Sequence, residues 1–175
     1  MEYTEVATVV FLVHGDTICL AQKKQNIHTK DGKELSKSSV WNGYGGKREP
    51  EDASIRDTAI RELFEESGVK ALPDSLVPAG RFRFFWPGNN GPHASMEVYF
   101  FFLSTWEGTP EESAAMGKPA FFHIDSIPYE KMLPDNILFL PRLLQGERLV
   151  GDMYADRKDE QGLPLFIISD EELLV

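Results

Sequence analysis

Cysteine is almost missing from this chain: Cys19 stands alone among 175 residues. No internal disulfide and no zinc cluster of thiolates can therefore form. Cys19 sits in the run Thr17-Ile18-Cys19-Leu20, which makes it a packed core thiol. Long apolar runs are missing too. None approaches the roughly 20 residues a membrane helix needs, and the N-terminus has no basic region followed by a long apolar one. The expectation is a cytoplasmic protein with no membrane partner. Basic residues are in deficit, with 18 Lys and Arg against 28 Asp and Glu and a formal charge of -10. That balance argues against a nucleic-acid polymer as partner, since nonspecific duplex binding depends on a basic surface. A small polyphosphate remains compatible when metal ions neutralise both sides. Repeats, linkers and low-complexity tracts are absent as well, leaving one domain over residues 1–175, expected to be a monomer.

What is present suffices for a core, since 42% of the residues are hydrophobic. Glu5 to Val13 is rich in β-branched residues and predicts a buried strand. His14-Gly15-Asp16 predicts a turn, with His14 at the surface, and Thr17 to Gln22 a second strand, giving a hairpin. Lys23 to Ser39 is polar and reads as a loop. Strands are expected over Pro78 to Trp86 and Met96 to Thr105, paired across the turn signal Pro87 to Pro92. Their aromatics read as core, with one or two available to a pocket wall. A short strand at Phe121 to Ile124 follows. Asp135 is placed to cap a helix running to about Gln145, with Pro141 inside it starting a new turn or a kink. Leu149 to Asp156 and Leu165 to Ile168 predict a closing hairpin. Mixed strands with two helices predict an α/β fold.

The chemistry concentrates between Gly45 and Val69. Ala53 to Ser67 contains no Pro or Gly, and Gly68 stands where a C-cap belongs, so a helix is predicted. Ser54 and Asp57 have capping-box spacing, and Asp52 is a competing N-cap. Glu62, Glu65 and Glu66 fall at i, i+3 and i+4 within one arc of roughly 100°. Ala59, Ile60, Leu63 and Phe64 occupy the adjoining arc, which can face a core. Three glutamates side by side repel one another. They form either a solvated acidic face or a site for a hard cation such as Mg2+.

The order of a Gly-Gly turn, a helix, Arg61-Glu62-Leu63-Phe64-Glu65-Glu66 and Gly68-Val69 resembles the Nudix box. The second half matches at every defined position. In the first half Asp52 follows Gly46 at the family's interval, but eight residues, not seven, separate it from Arg61. The likeness extends over nearly the whole chain to the MutT-homologue 8-oxo-dGTP diphosphatases, through Thr8, Lys23-Lys24, Trp41 to Lys47, Met96, Gly108-Thr109-Pro110, Ile127-Pro128-Tyr129, Leu133 to Asn136 and Leu143 to Gly146. This resemblance implies the Nudix α/β/α sandwich, a mixed sheet with the box helix and a C-terminal helix packed on it. It also implies Mg2+ (Mn2+ as a substitute) and hydrolysis of a small-molecule nucleoside triphosphate to monophosphate and pyrophosphate.

By the same resemblance the metal set is Glu62, Glu65, Glu66 and Gly46, and Glu65 or Glu66 is the candidate base, the division between base and ligand staying open. The purine pocket falls on Thr8, Lys23, Asn42, Met96 and Asp135, with Asn136 beside it and Lys47 as a phosphate contact. Arg61 is expected off the glutamate arc, paired with an acid near Glu51 or Asp52. The chain departs from the family at three places. An aspartate pair preceded by Trp-Pro becomes Leu133-Pro134-Asp135-Asn136, where Asn136 can donate to a guanine oxygen at any pH. The loop before Trp41 is longer. A further family glutamate falls on Ala115, with Glu111 and Glu112 as neighbouring substitutes. Leu133 and Asn136 keep other nucleotides open as substrates, among them ordinary dNTPs, a modified adenine nucleotide or a dinucleotide. A non-catalytic nucleotide sensor is the reading outside the enzymes.

Overall fold

Alternation along the central strands divides the core into two halves. In the first strand, β1 (Glu5–His14), Ala7 and Phe11 join one buried cluster while Val10 and Leu12 join another. A strand apolar on both faces needs cover on both faces. The computed structural model describes residues 5–28, 34–36, 39–88 and 91–175. Among them, β2 (Thr17–Gln22) completes a hairpin with β1, and a short pair, β3 (Ile27–His28) and β4 (Glu34–Ser36), follows. The predicted Lys23 to Ser39 loop thus carries strand pairing of its own, although residues 29–33 and 37–38 lie outside the described residues.

The order continues with β5 (Trp41–Asn42), helix α1 (Ile55–Ser67), β6 (Val77–Gly88), β7 (Gly91–Leu103), β8 (Ala120–His123), helix α2 (Asn136–Leu144), β9 (Leu149–Lys158) and β10 (Pro164–Ser169). The main sheet runs β10-β9-β6-β7-β1-β2-β5, and β8 also pairs with β2. It is mixed: β1 lies parallel to β7 and β6 parallel to β9, while β6–β7 and β9–β10 are antiparallel. Ala59 and Leu63 of α1 cover one face with Val10, Leu12 and Phe101. Phe139, Leu140 and Leu143 of α2 cover the other with Phe82 and Phe100. The result is the expected α/β/α layering, with one helix on each side of a mixed sheet.

Local chemistry sets the ends of α1. Ser54 is the N-cap, its hydroxyl accepting from Asp57 N at 3.2 Å, and Gly68 closes the helix in the left-handed region at φ 74°. Ser54 wins over Asp52 because the Asp52 carboxylate is committed elsewhere. One expected core residue is misplaced: Phe64 is 48% exposed, and the Lys70 ammonium lies 5.8 Å from its ring centroid. The arc that faces the sheet centres on Ala59 and Leu63, and Phe64 lies one step of about 100° beyond Leu63. Cys19 is buried as expected, and burial pushes its thiol up to about 11. His14 is exposed. Among the described residues no helix is long and apolar enough to cross a membrane.

Candidate active site

Arg61 organises the acidic face of α1. Its Nε and one terminal nitrogen donate to both oxygens of Asp52, each at 2.9 Å, and that terminal nitrogen also donates to the Lys47 carbonyl at 3.0 Å. Asp52 is therefore the acid that partners Arg61, despite the extra residue between them. It accepts Glu49 N and the Thr58 hydroxyl as well, each at 2.9 Å, which fixes the turn entering the helix. These hydrogen bonds, Arg61 first, hold the Asp52 carboxyl well below the usual carboxylate range. Contrary to expectation, Arg61 does not point off the glutamate arc. Its other terminal nitrogen reaches Glu62 Oε1 at 2.9 Å and Glu65 Oε2 at 3.3 Å.

Part of the repulsion among the glutamates is thus balanced by protein cations. Glu66 is buried, 7% exposed, and held from the other side: Gly45 N donates to its Oε2 at 2.8 Å and Lys23 Nζ lies 3.4 Å from its Oε1. Burial raises the Glu62 carboxyl, with Arg61 opposing. Glu65 is the most exposed of the three. Among the described residues no three acidic, His or Cys side chains converge into a ready metal cage. Hard divalent cations take oxygen ligands. The donor set is all oxygen. Among the described residues, Glu62 Oε2 and Glu65 Oε1 make no hydrogen bond. The Gly46 carbonyl spends one lone pair on Thr8 N at 2.9 Å and keeps the other.

Gly45 and Gly46 form the wall between these carboxylates and a cavity of about 390 Å³. A Cβ on Gly46 would lie 2.6 Å from the Glu62 carboxyl, so glycine lets the backbone press against the acidic face. The cavity lies among β1, β6, β7 and the start of α2, and Thr8, Lys23, Asn42, Gly46, Lys47, Met96, Asp135 and Asn136 all line it. Every expected pocket residue is brought together there. Phe84 and Trp86 add aromatic surface from β6, with near-parallel rings 6.1 Å apart. Density of aromatics signalled that strand, but nothing in its spacing singled out these two. Ala155, Lys158 and Pro164 of the closing hairpin also reach the cavity, with no sequence signal to announce them.

Individual roles shift. Lys47 pairs with Glu5 at 2.9 Å, so its phosphate contact is not prefigured. Asp135 occupies the N-cap position of α2, but its side chain makes no cap hydrogen bond and lines the cavity instead. Desolvation pushes it up to about 6 against hydrogen bonds from Asn136 and nearby backbone. Asn42 accepts Gly43 N on its Oδ1 at 2.9 Å, leaving its amide nitrogen as the donor. Asn136 is the reverse of what the sequence suggested. Its Nδ2 donates to the Leu133 carbonyl and to Asp135 Oδ1, both at 3.2 Å, while its Oδ1 is buried without a partner. Thr8 Oγ1 is the other buried side-chain atom without a partner among the described residues. Glu112, the substitute glutamate, is exposed and paired with Lys24 at 2.7 Å.

Comparison with known proteins matches residues 3–143 to the NUDIX domain. A zebrafish (Danio rerio) protein named oxidized purine nucleoside triphosphate hydrolase is 35% identical over 148 residues, covering 85% of each chain. A mouse (Mus musculus) protein of the same name is 33% identical over 159 residues, covering 91% of this chain and 92% of its own. Among solved structures, a MutT protein from Bacillus halodurans superimposes with a TM-score of 0.69 at 22% identity, covering 96% of this chain and 99% of its own. A NUDIX hydrolase from Nitrosomonas europaea reaches 0.62 at 12% identity, over 88% and 81%. At those identities the structural likeness concerns the fold.

Proposed function

The chain belongs to the NUDIX family, and from that premise we infer a divalent-metal-dependent nucleoside triphosphate pyrophosphohydrolase. Its proposed substrates are oxidised purine nucleotides such as 8-oxo-dGTP, cleaved to the monophosphate and pyrophosphate. The unit proposed to carry this activity is the single domain 1–175. The observation that supports it most is the apposition of two unlike surfaces across Gly45-Gly46. On one side is a three-glutamate helix face, and on the other a largely apolar cavity that also presents polar side chains. A purine triphosphate has this duality, with a flat base at one end and a metal-binding phosphate chain at the other. The relatives' shared name supports the substrate class.

Mg2+ would be held by Glu62, Glu65, Glu66 and the Gly46 carbonyl, and would screen phosphate charge and lower the pKa of attacking water. Everything else falls to this chain's own groups. Arg61 orients Glu62 and Glu65, and Gly45 N fixes Glu66. Glu65 or Glu66 is the proposed base, accepting the proton of water attacking phosphorus as the P–O bond to the leaving group breaks. The cavity removes the base from solvent and aligns the phosphates on the helix face.

A panel of oxidised and ordinary triphosphates, assayed for pyrophosphate with Mg2+ and with chelator, tests this reading. Release of pyrophosphate from oxidised purines, abolished by chelation, is expected. Tight binding without release from any nucleotide would instead identify a sensor, and preferential release from ordinary dNTPs or dinucleotides a different NUDIX hydrolase.

A further inference from the structure

The three lysines that line the cavity differ in how they are committed. Lys23 faces Glu66 at 3.4 Å, and Lys47 holds Glu5 at 2.9 Å. Lys158, from the closing hairpin, makes no ion pair or side-chain hydrogen bond among the described residues. It reaches the cavity through a break in strand alternation. Pro164 and Leu165 are adjacent in β10 yet pair with Lys158 and Tyr154, so Ala155, Asp156 and Arg157 are extra residues on β9. Along β9, Met153 joins the core on the cavity side and Ala155 lines the cavity. Unbroken alternation would bring Arg157 to that face next. Instead its guanidinium lies 4.6 Å from the Tyr154 ring centroid, and Tyr154 stacks on Phe85 at 4.9 Å on the opposite face of the sheet. Arg157 is drawn away, and Lys158 takes the cavity wall. Bulges re-aim side chains in this way and gather beside active sites.

Position sets what the ammonium can meet. β6 and β7 separate β9 from β1, which puts β9 roughly 14 Å across the sheet from β1. The Gly45-Gly46 wall and the glutamate face lie beyond β1, on its other side. A nucleotide with its phosphates on that face therefore presents its base to Lys158. An ammonium only donates, so it meets acceptors on the base. An 8-oxo purine differs from its parent by one added acceptor, the C8 oxygen, and by a hydrogen on N7. We propose that Lys158 is a specificity-determining residue that donates to the carbonyl oxygen which oxidation adds, held in place by the stack of Arg157, Tyr154 and Phe85. This rests on the substrate class inferred above and names a residue that reads it. Lys158 is exposed, so solvent screens the contact and its effect is modest.

The test measures kcat and KM with Mg2+ for wild type, Lys158→Met and Lys158→Arg on two matched pairs, 8-oxo-dGTP against dGTP and 8-oxo-dATP against dATP. Wild type should favour the oxidised member of each pair. Lys158→Met should reduce that preference about fivefold, the scale of one solvent-exposed charged hydrogen bond. The loss should appear in KM for the oxidised nucleotides, with kcat and the parent nucleotides within about twofold of wild type. Lys158→Arg, which keeps a donor, should retain the preference. No preference for the oxidised member in either wild-type pair overturns the proposal, even if the variants do not fold. An unchanged preference in folded Lys158→Met, or an equal loss for oxidised and parent nucleotides, overturns it as well. Calorimetric binding of 8-oxo-dGMP and dGMP makes the same comparison without turnover. Absence of pyrophosphate release from all four triphosphates, with the preference intact in binding, would overturn the functional reading alone, so the two failures are distinct.

Discussion

Asp135 carries its charge in a place that disfavours it. Desolvation raises its carboxyl from 3.8 to about 6, so the folded protein holds a proton that the unfolded chain releases between those values. With the folded value raised, the favourable contribution is complete below about pH 3.8 and lost as pH rises through about 6. Asp135→Asn keeps the shape and removes the charge. It should be more stable than the parent at pH 8 by about 1–3 kcal/mol, the gap narrowing as pH falls through 6. Urea unfolding of both proteins at several pH values measures this, and a gap that stays constant or widens toward acid would contradict it. The residue types at this site were readable from the sequence, but their hydrogen-bonding sense was not. Asn136 offers a donor or an acceptor with equal ease until the Leu133 carbonyl takes its nitrogen, and that contact depends on how the chain enters α2.

At the scale of the element, α1 was legible almost throughout. Its caps, its glutamate arc and the partnership of Arg61 with an acid before the helix all follow from local spacing, which a helix converts directly into geometry. Two errors remain: Phe64 was assigned to the core and Arg61 was set apart from the glutamates. Both arise because an arc on a helical wheel has soft edges, and a long or bulky side chain at the edge goes where tertiary neighbours allow. The glycine turn before α1 gives a sharper test. At Gly46 the nearest atoms to an added Cβ are the side-chain end of Glu62, whereas at Gly45 it would overlap the Thr8 carbonyl, which is backbone. Gly46→Ala should therefore fold with stability within about 1 kcal/mol of wild type while losing at least about tenfold in kcat/KM, an estimate for displacing one oriented carboxylate. Gly45→Ala should be destabilised by at least about 2 kcal/mol, as expected where backbone clashes with backbone. Thermal unfolding and steady-state rates on both variants would decide, and equal loss of stability in the two would contradict the distinction.

Across the whole molecule, the site depends on contacts that no local pattern specifies. Thr8 lies on β1, Asn42 on β5, Met96 on β7 and Asn136 at the start of α2, and all reach one cavity because β1 and β7 pair in parallel and α2 packs over the shared face. Strand periodicity announces which residues are buried, as with Phe100 and Phe101 pointing to opposite cores, but it leaves strand order open. The family resemblance carried the pocket residues, and it carried them only where the motif residues themselves align. The hairpin of β9 and β10, whose Lys158 and Pro164 reach the cavity, lay outside that alignment.

The central claim is that the glutamate face of α1 and this cavity form one hydrolytic site. Single-turnover release of pyrophosphate from 8-oxo-dGTP with Mg2+, compared between wild type, Glu65→Gln and Glu66→Gln, tests it most directly, with circular dichroism confirming the fold of each variant. Neither change alters side-chain volume, so a folded protein that loses at least about a hundredfold in rate, in the range of removing a base or an oriented ligand, is the predicted result. Full activity in both folded variants would contradict the assignment of the site.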